Sequence, residues 1–121
     1  MIDIDQMQHS ARCAVKLLKA MSNETRMMIL CELLRGERSV GQLEERIGVS
    51  QSALSQHLAR LRRYALVRTR RASQTIFYSL NGTEVPVMIE ALYRLFCEDG
   101  ANGQGVEAQA QASRNAALQE A

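Results

Sequence analysis

Met7, Ala11, Ala14, Val15 and Leu18 recur at the spacing of one helical face, which predicts an amphipathic helix over residues 6–20. Ser22 or Asn23 then caps a second helix running to about Arg35, where Gly36 stops it. That helix is apolar nearly all round, with Met27, Met28, Ile29, Leu30, Cys31, Leu33 and Leu34, so it is predicted to be central and buried. Ser39-Val40-Gly41-Gln42 has the form of a capping box and opens a short helix with Val40, Leu43 and Ile47 inward. Gly48 ends it, and Ser50 caps the next helix, from Gln51 to about Arg63. Leu54, Leu58 and Leu61 share one face of this helix; Gln51, Ser52, Ser55, Gln56 and Arg60 share another. The period then changes. Ile76, Tyr78 and Leu80 alternate with Thr75, Phe77 and Ser79, which predicts a strand whose hairpin partner is Val67 to Arg71, turning at Ala72-Ser73. A last helix covers residues 83–97, with Pro86 confined to its first turn and Val85, Met88, Leu92, Leu95 and Phe96 as its stripe.

The predicted order is helix, helix, helix-turn-helix, hairpin, helix. This is a mostly α, winged helix-turn-helix fold (α-α-α-α-β-β-α) occupying residues 1–99. Residues 100–121, rich in Gly, Ala, Gln and Asn, read as a low-complexity, disordered tail. Roughly 95 ordered residues give one copy a thin core. The first and last helices keep apolar stripes that a helix-to-helix homodimer would bury.

Aromatic residues make up only 4% of the 121 residues and Trp is absent, which argues against a broad base-stacking platform. No apolar run reaches the roughly 18 residues of a membrane span. The opening Met1-Ile2-Asp3-Ile4-Asp5 is acidic and does not read as a signal peptide, so a cytoplasmic protein is expected, whose three Cys are thiols rather than a disulfide framework.

The net charge of +2 conceals a strong asymmetry. Between Arg46 and Thr83 lie seven Arg (46, 60, 62, 63, 68, 70 and 71) and no Asp or Glu, whereas the rest of the chain holds eight Lys/Arg against thirteen Asp/Glu. Such a block points to a polyanion. Its composition of Arg rather than Lys suits bidentate contact with phosphate and guanine edges. The plainer alternative is a solvated basic face.

These elements place short polar side chains at the N-terminal end of a helix that can enter the DNA major groove. Gln51 and Gln56 can pair with adenine, and Ser52 and Ser55 can reach a base edge or a phosphate. Arg60, Arg62 and Arg63 lie further along as phosphate contacts. Arg68, Arg70, Arg71 and Gln74 sit on the hairpin, where a wing meets backbone or minor groove. His57, on the same helix, reads as a packing or phosphate-contacting residue rather than a metal ligand. A two-fold dimer would set two such helices about one helical turn apart and select an inverted-repeat operator in double-stranded DNA.

Residues 17–97 resemble the ArsR family of winged-helix repressors. The resemblance rests on Leu17-Leu18-Lys19-Ala20-Met21 with Arg26 and Ile29-Leu30, and above all on the run Ser50-Gln51-Ser52-Ala53-Leu54-Ser55-Gln56-His57-Leu58. Ile29-Leu30-Cys31 together with Leu95-Phe96-Cys97 resembles the BigR, SqrR and HlyU group, whose members respond to reactive sulfur and oxidants. This resemblance implies that Cys31 and Cys97 form a dithiol within one subunit. Oxidants would join them directly, and persulfides would join them through added sulfur atoms. The chemistry needs a reactive thiolate and a resolving partner. A direct disulfide also needs Cα atoms within about 7 Å, a limit that added sulfurs relax. On the residues alone, a buried core role for both cysteines stays open. Cys13 reads as an accessory or structural thiol. The implied mechanism is a population shift in which cross-linking misplaces the reading helices and lowers DNA affinity. Repression and displacement of another repressor both occur in the group.

The wider ArsR family includes metal sensors. Residues 40–48 lack the Cys-x-Cys that a site beside the reading helix would need, and helix 83–97 offers Glu84 and Glu90 but no His. A soft-ion site built from Cys13, Cys31 and Cys97, with His9 one turn from Cys13, remains as the alternative. No cofactor is implied. An enzyme is not expected: there is no phosphate-binding Gly loop and no nucleophile elbow, and Ser55 and His57 do not share a helix face. Asn23-Glu24-Thr25 and Asn81-Gly82-Thr83 match a glycosylation pattern but read more simply as helix-start signals.

Overall fold

A computed structural model describes residues 1–98, in two compact units that divide after Gly82. The first unit begins with α1 (Ile4–Met21), capped by the Asp3 carboxylate, which accepts from the Asp5 and Gln6 amides. α2 (Glu24–Leu33) starts at Asn23, whose side chain accepts from the Arg26 amide, so the Asn23 sequon is a helix-start signal. α3 (Val40–Ile47) opens with the reciprocal capping box: the Gln42 amide donates to Ser39 Oγ and the Ser39 amide donates to Gln42 Oε1. Gly48 closes α3 at φ +78, a backbone conformation that costs an L side chain about 1–2 kcal/mol. α4 (Gln51–Arg63) follows at once from the Ser50 cap.

α2, α3 and α4 pack on one another, and β-structure closes the unit against α2 and α4. Leu30, Leu43, Leu54 and Leu61 are fully buried and Leu58 is nearly so. The spacing of these leucines explains why the two faces of α4 separate cleanly. α2 is less enclosed than its composition predicts. Ile29, Leu30 and Leu33 are buried, but Met28 and Leu34 are 50% and 44% exposed, because neighbours cover only part of its circumference.

The predicted hairpin is β2 (Val67–Ala72) with β3 (Thr75–Leu80), but its loop is Ser73-Gln74, one residue later than expected, because Ala72 pairs with Thr75. A two-residue strand, β1 (Arg38–Ser39), pairs with the other edge of β3 and makes the sheet three-stranded, in the order β1-β3-β2. Two residues are too few to show a period, and Ser39 reads as a helix cap from sequence; in the structure it is both. Otherwise the winged helix-turn-helix order stands as expected.

The end of α4 carries a strain that suggests a simple test. The Ala65 amide donates to Arg62 O and the Leu66 amide to Leu61 O, the paired bonds of a Schellman cap, with Ala65 left-handed at φ 60. Asn81 Nδ2 holds the Ala65 carbonyl at 2.9 Å. Glycine takes this conformation without the steric cost. Ala65→Gly is therefore expected to raise the unfolding free energy by about 1 kcal/mol, read from the urea midpoint. A lower midpoint would contradict the assigned strain.

The second unit starts with Thr83 as N-cap and comprises α5 (Glu84–Tyr93) followed by a π-helical turn, Arg94–Glu98. The sequence predicts one helix to residue 97; the widened turn replaces its end. Pro86 lies in the first turn, as expected. Val85 and Ile89 are buried, while Val87, Leu95 and Phe96 are 64%, 50% and 47% exposed. The predicted tail, 100–121, and the boundary at 99 lie outside the described residues.

Candidate nucleic-acid interface

The capping of α4 at Ser50 and the burial of its leucines present the other side of the helix outward. Gln51, Ser52, Ser55 and Gln56 are all exposed at its N-terminal half, and Arg60, Arg62 and Arg63 are exposed at its C-terminal half. The same side chains that cannot enter the core thus form a polar leading end and a cationic trailing end on one helix. On the wing, Arg68, Arg70, Arg71 and Gln74 are exposed. Arg68 Nε donates to Ser79 Oγ at 3.3 Å.

The basic block is not uniformly available. Arg46 lies beside Glu32, with Nε 3.5 Å from Oε2. Arg70 donates twice to Glu37, with Nε at 3.0 Å from Oε2 and Nη2 at 2.6 Å from Oε1, and its guanidinium carbon sits 4.8 Å from the centre of the Phe77 ring. The hydrogen bonds from Arg70 hold the Glu37 carboxyl below its usual range, and Glu37 raises the Arg70 guanidinium in turn. Arg60, Arg62, Arg63, Arg68 and Arg71 make no ion pair among the described residues.

His57 points away from the reading side. It is half-buried, and its Nδ1 lies 3.5 Å from Arg26 Nη1. Arg26 is 6% exposed and binds the end of α1: Nε donates to Ala20 O at 2.6 Å and Nη2 to Lys19 O at 3.2 Å. These carbonyls belong to the last turn of α1, where intrahelical donors run out. Burial, then the cations Arg26 and Arg60, push the His57 imidazole below its ordinary value near 6.5. A depressed folded-state value means that His57 contributes stability above about pH 6.5, which is lost as pH falls through the lower folded value. Urea midpoints taken from about pH 7.5 to about pH 5.5 should fall, and His57→Gln should flatten that slope. An unchanged slope in the variant would remove His57 as its source.

Sequence reasoning named Arg26 only as part of the resemblance, without its role, and missed Glu37. The signal for Arg26 was present, since it is a cation placed one position before an apolar run. Glu37 carried no such signal, because its partner Arg70 is remote in the chain.

Cys13 on α1 and Cys97 in the π-helical turn are exposed; Cys31 on α2 is half-buried. Among the described residues no group of three or more His, Cys, Asp or Glu is gathered as a metal site. No helix among them is long and apolar enough to cross a membrane.

The bacterial regulatory protein arsR family matches this chain over residues 23–69, from the N-cap of α2 into β2. The transcriptional activator HlyU of Vibrio cholerae is 56% identical over 97 residues, spanning 80% of this chain and 90% of its own. The structure of its reduced form superposes with a TM-score of 0.72 over 77% of this chain and 98% of that one. The transcriptional repressor BigR of Xylella fastidiosa gives a TM-score of 0.77 at 40% identity, over 81% of this chain and all of its own. A homodimeric winged helix-turn-helix DNA-binding domain from Mycobacterium bovis gives 0.63 at 27% identity, over 75% of this chain and 89% of that one. The family match includes the whole of α4. The chain belongs to the arsR family of bacterial regulators, DNA-binding winged helix-turn-helix proteins that control transcription and are not enzymes.

Proposed function

We propose that this protein is a homodimeric repressor of the HlyU and BigR kind, which reads an inverted-repeat operator and loses affinity when Cys31 and Cys97 are cross-linked by reactive sulfur species or oxidants. The observation that carries the DNA part is α4, where Gln51, Ser52, Ser55 and Gln56 lead an outward face and Arg60, Arg62 and Arg63 trail it. The first four read base edges, the three arginines hold phosphate, and Arg68, Arg71 and Gln74 extend the contact through the wing. The dimer is supported by exposed apolar side chains on α1, where Met7, Val15 and Leu18 are 50%, 45% and 50% exposed, and by the homodimeric relative.

The switch is supported by the place of Cys31. It lies on α2, the helix packed against both α3 and α4, so a bond formed there acts directly on the support of the reading helix. With peroxide, one thiolate is oxidised to a sulfenic acid; the second thiol attacks its sulfur and the hydroxyl leaves as water, giving a disulfide. With persulfides, two thiols and two persulfides give a trisulfide, two reduced thiols and one hydrogen sulfide. Cys13 is assigned an accessory role. The relatives bear opposite names, activator and repressor; a regulator that displaces another DNA-binding protein would reconcile them.

The test is the intact mass of the reduced protein after a persulfide donor or peroxide, with peptide mapping and DNA titration of each product. A Cys31–Cys97 link with added sulfur and weakened DNA binding is expected from the persulfide. A plain disulfide from both reagents would make it a general redox switch. Unmodified thiols would overturn the switch and leave the DNA reading standing.

A further inference from the structure

We infer that Glu37 and Arg70 form a strap across the wing that withholds Arg70 from DNA phosphate and ties the wing to the start of the helix-turn-helix. The inference rests on the DNA-reading surface proposed above. The sheet register sets Ser39, Phe77 and Arg70 in one row across β1, β3 and β2. Arg70 crosses this row above the Phe77 ring and ends on Glu37, two residues before Ser39. Ser39 is in turn the N-cap of α3. One side chain therefore reaches from β2 across β3 to the residue just before β1, and anchors beside the first helix of the DNA-reading pair.

An exposed ion pair of ordinary geometry contributes little, but this one is bidentate and stacked on a ring, which fixes the guanidinium more firmly than charge alone. A carboxylate offers Arg70 the same two-oxygen face that a phosphate would. Glu37 is then an internal phosphate mimic. It lowers the affinity for DNA of any sequence without touching the base-reading residues. Arg70 is a positioning residue on this account, while Arg68 and Arg71 remain available for the backbone.

Salt titrations on a labelled, mixed-sequence DNA duplex separate the two roles, because each phosphate neutralised adds about 0.9 to the slope of log affinity against log salt. With the strap, Arg70→Gln leaves the slope unchanged. Glu37→Gln releases Arg70, steepens the slope by up to about 0.9 per protomer, and raises affinity roughly fivefold per protomer near 0.15 M salt. The reverse pattern, flattening in Arg70→Gln and no change in Glu37→Gln, would place Arg70 on phosphate and overturn the proposal. Amide exchange provides a readout independent of DNA. Both variants should speed amide exchange in the β1–β3 pairing, and unchanged exchange in both would also overturn the strap. Failure of the wild-type protein to bind the duplex at low salt would instead overturn the DNA-reading surface.

Discussion

Arg26→Met is expected to lower the unfolding free energy by about 2–4 kcal/mol, a large part of the stability of a domain this size. The substitution keeps an unbranched apolar stem in the same space and removes only the guanidinium. That group makes two charge-assisted bonds to the final turn of α1 and reaches His57 on α4. Burial and the nearby Arg60 pull its proton affinity down, with Tyr64 opposing, yet a guanidinium stays charged at any working pH. Methionine leaves the buried Ala20 carbonyl without its side-chain donor, whereas the Lys19 carbonyl keeps the Ser22 amide and hydroxyl. Arg26→Lys keeps the charge but not the fork, and should recover only part of the loss. Urea denaturation followed by far-UV circular dichroism gives both values. A loss below about 0.5 kcal/mol in Arg26→Met would mean that the last turn of α1 holds itself.

Cys31→Ser and Cys97→Ser should each bind DNA within about twofold of wild type and each lose the response to persulfide or peroxide. Treated wild-type protein should lose about 5–150-fold in affinity, the usual range for coupling between sites. Serine is nearly isosteric with cysteine but supplies no sulfur to attack or to be attacked, so either substitution breaks the cross-link while the reading face of α4 is untouched. Cys13→Ser should keep both properties. The assay is anisotropy with a duplex selected by the reduced wild-type protein, measured before and after treatment. A full response in either Cys31→Ser or Cys97→Ser would sink the proposed pairing.

Much of this arrangement was legible because it is local. The bounds of α4, the capping box of Ser39 and Gln42, the Ser50 cap and the buried Leu54, Leu58 and Leu61 all follow from side chains within a few positions of one another. The outward row from Gln51 to Arg60 is the complement of that leucine stripe, so the candidate reading face came with it. What was not legible depends on closure of the chain over long distances. β1 exists only because β3 arrives beside it. Glu37 has a role only because Arg70 lies across the sheet. Met28 in α2 and Leu34 at its C-cap belong to a stretch whose apolar composition predicts full burial, but composition cannot say how many neighbours arrive. Arg26 is the intermediate case: its place before the run Met27–Leu30 marks it as unusual, while its carbonyl partners are set by the turn between α1 and α2.

Ser39 belongs at once to the β1–β3 pairing and to the first turn of α3. The helices on either side can nucleate from neighbouring residues, whereas the β1–β3 pairing must close most of the intervening chain, an entropic cost met late in folding. The wing should therefore join the helices after the main barrier has been crossed. Substitutions that weaken the β1–β3 edge would leave the refolding rate nearly constant and accelerate unfolding, so the life of the assembled wing is set by its rate of detachment.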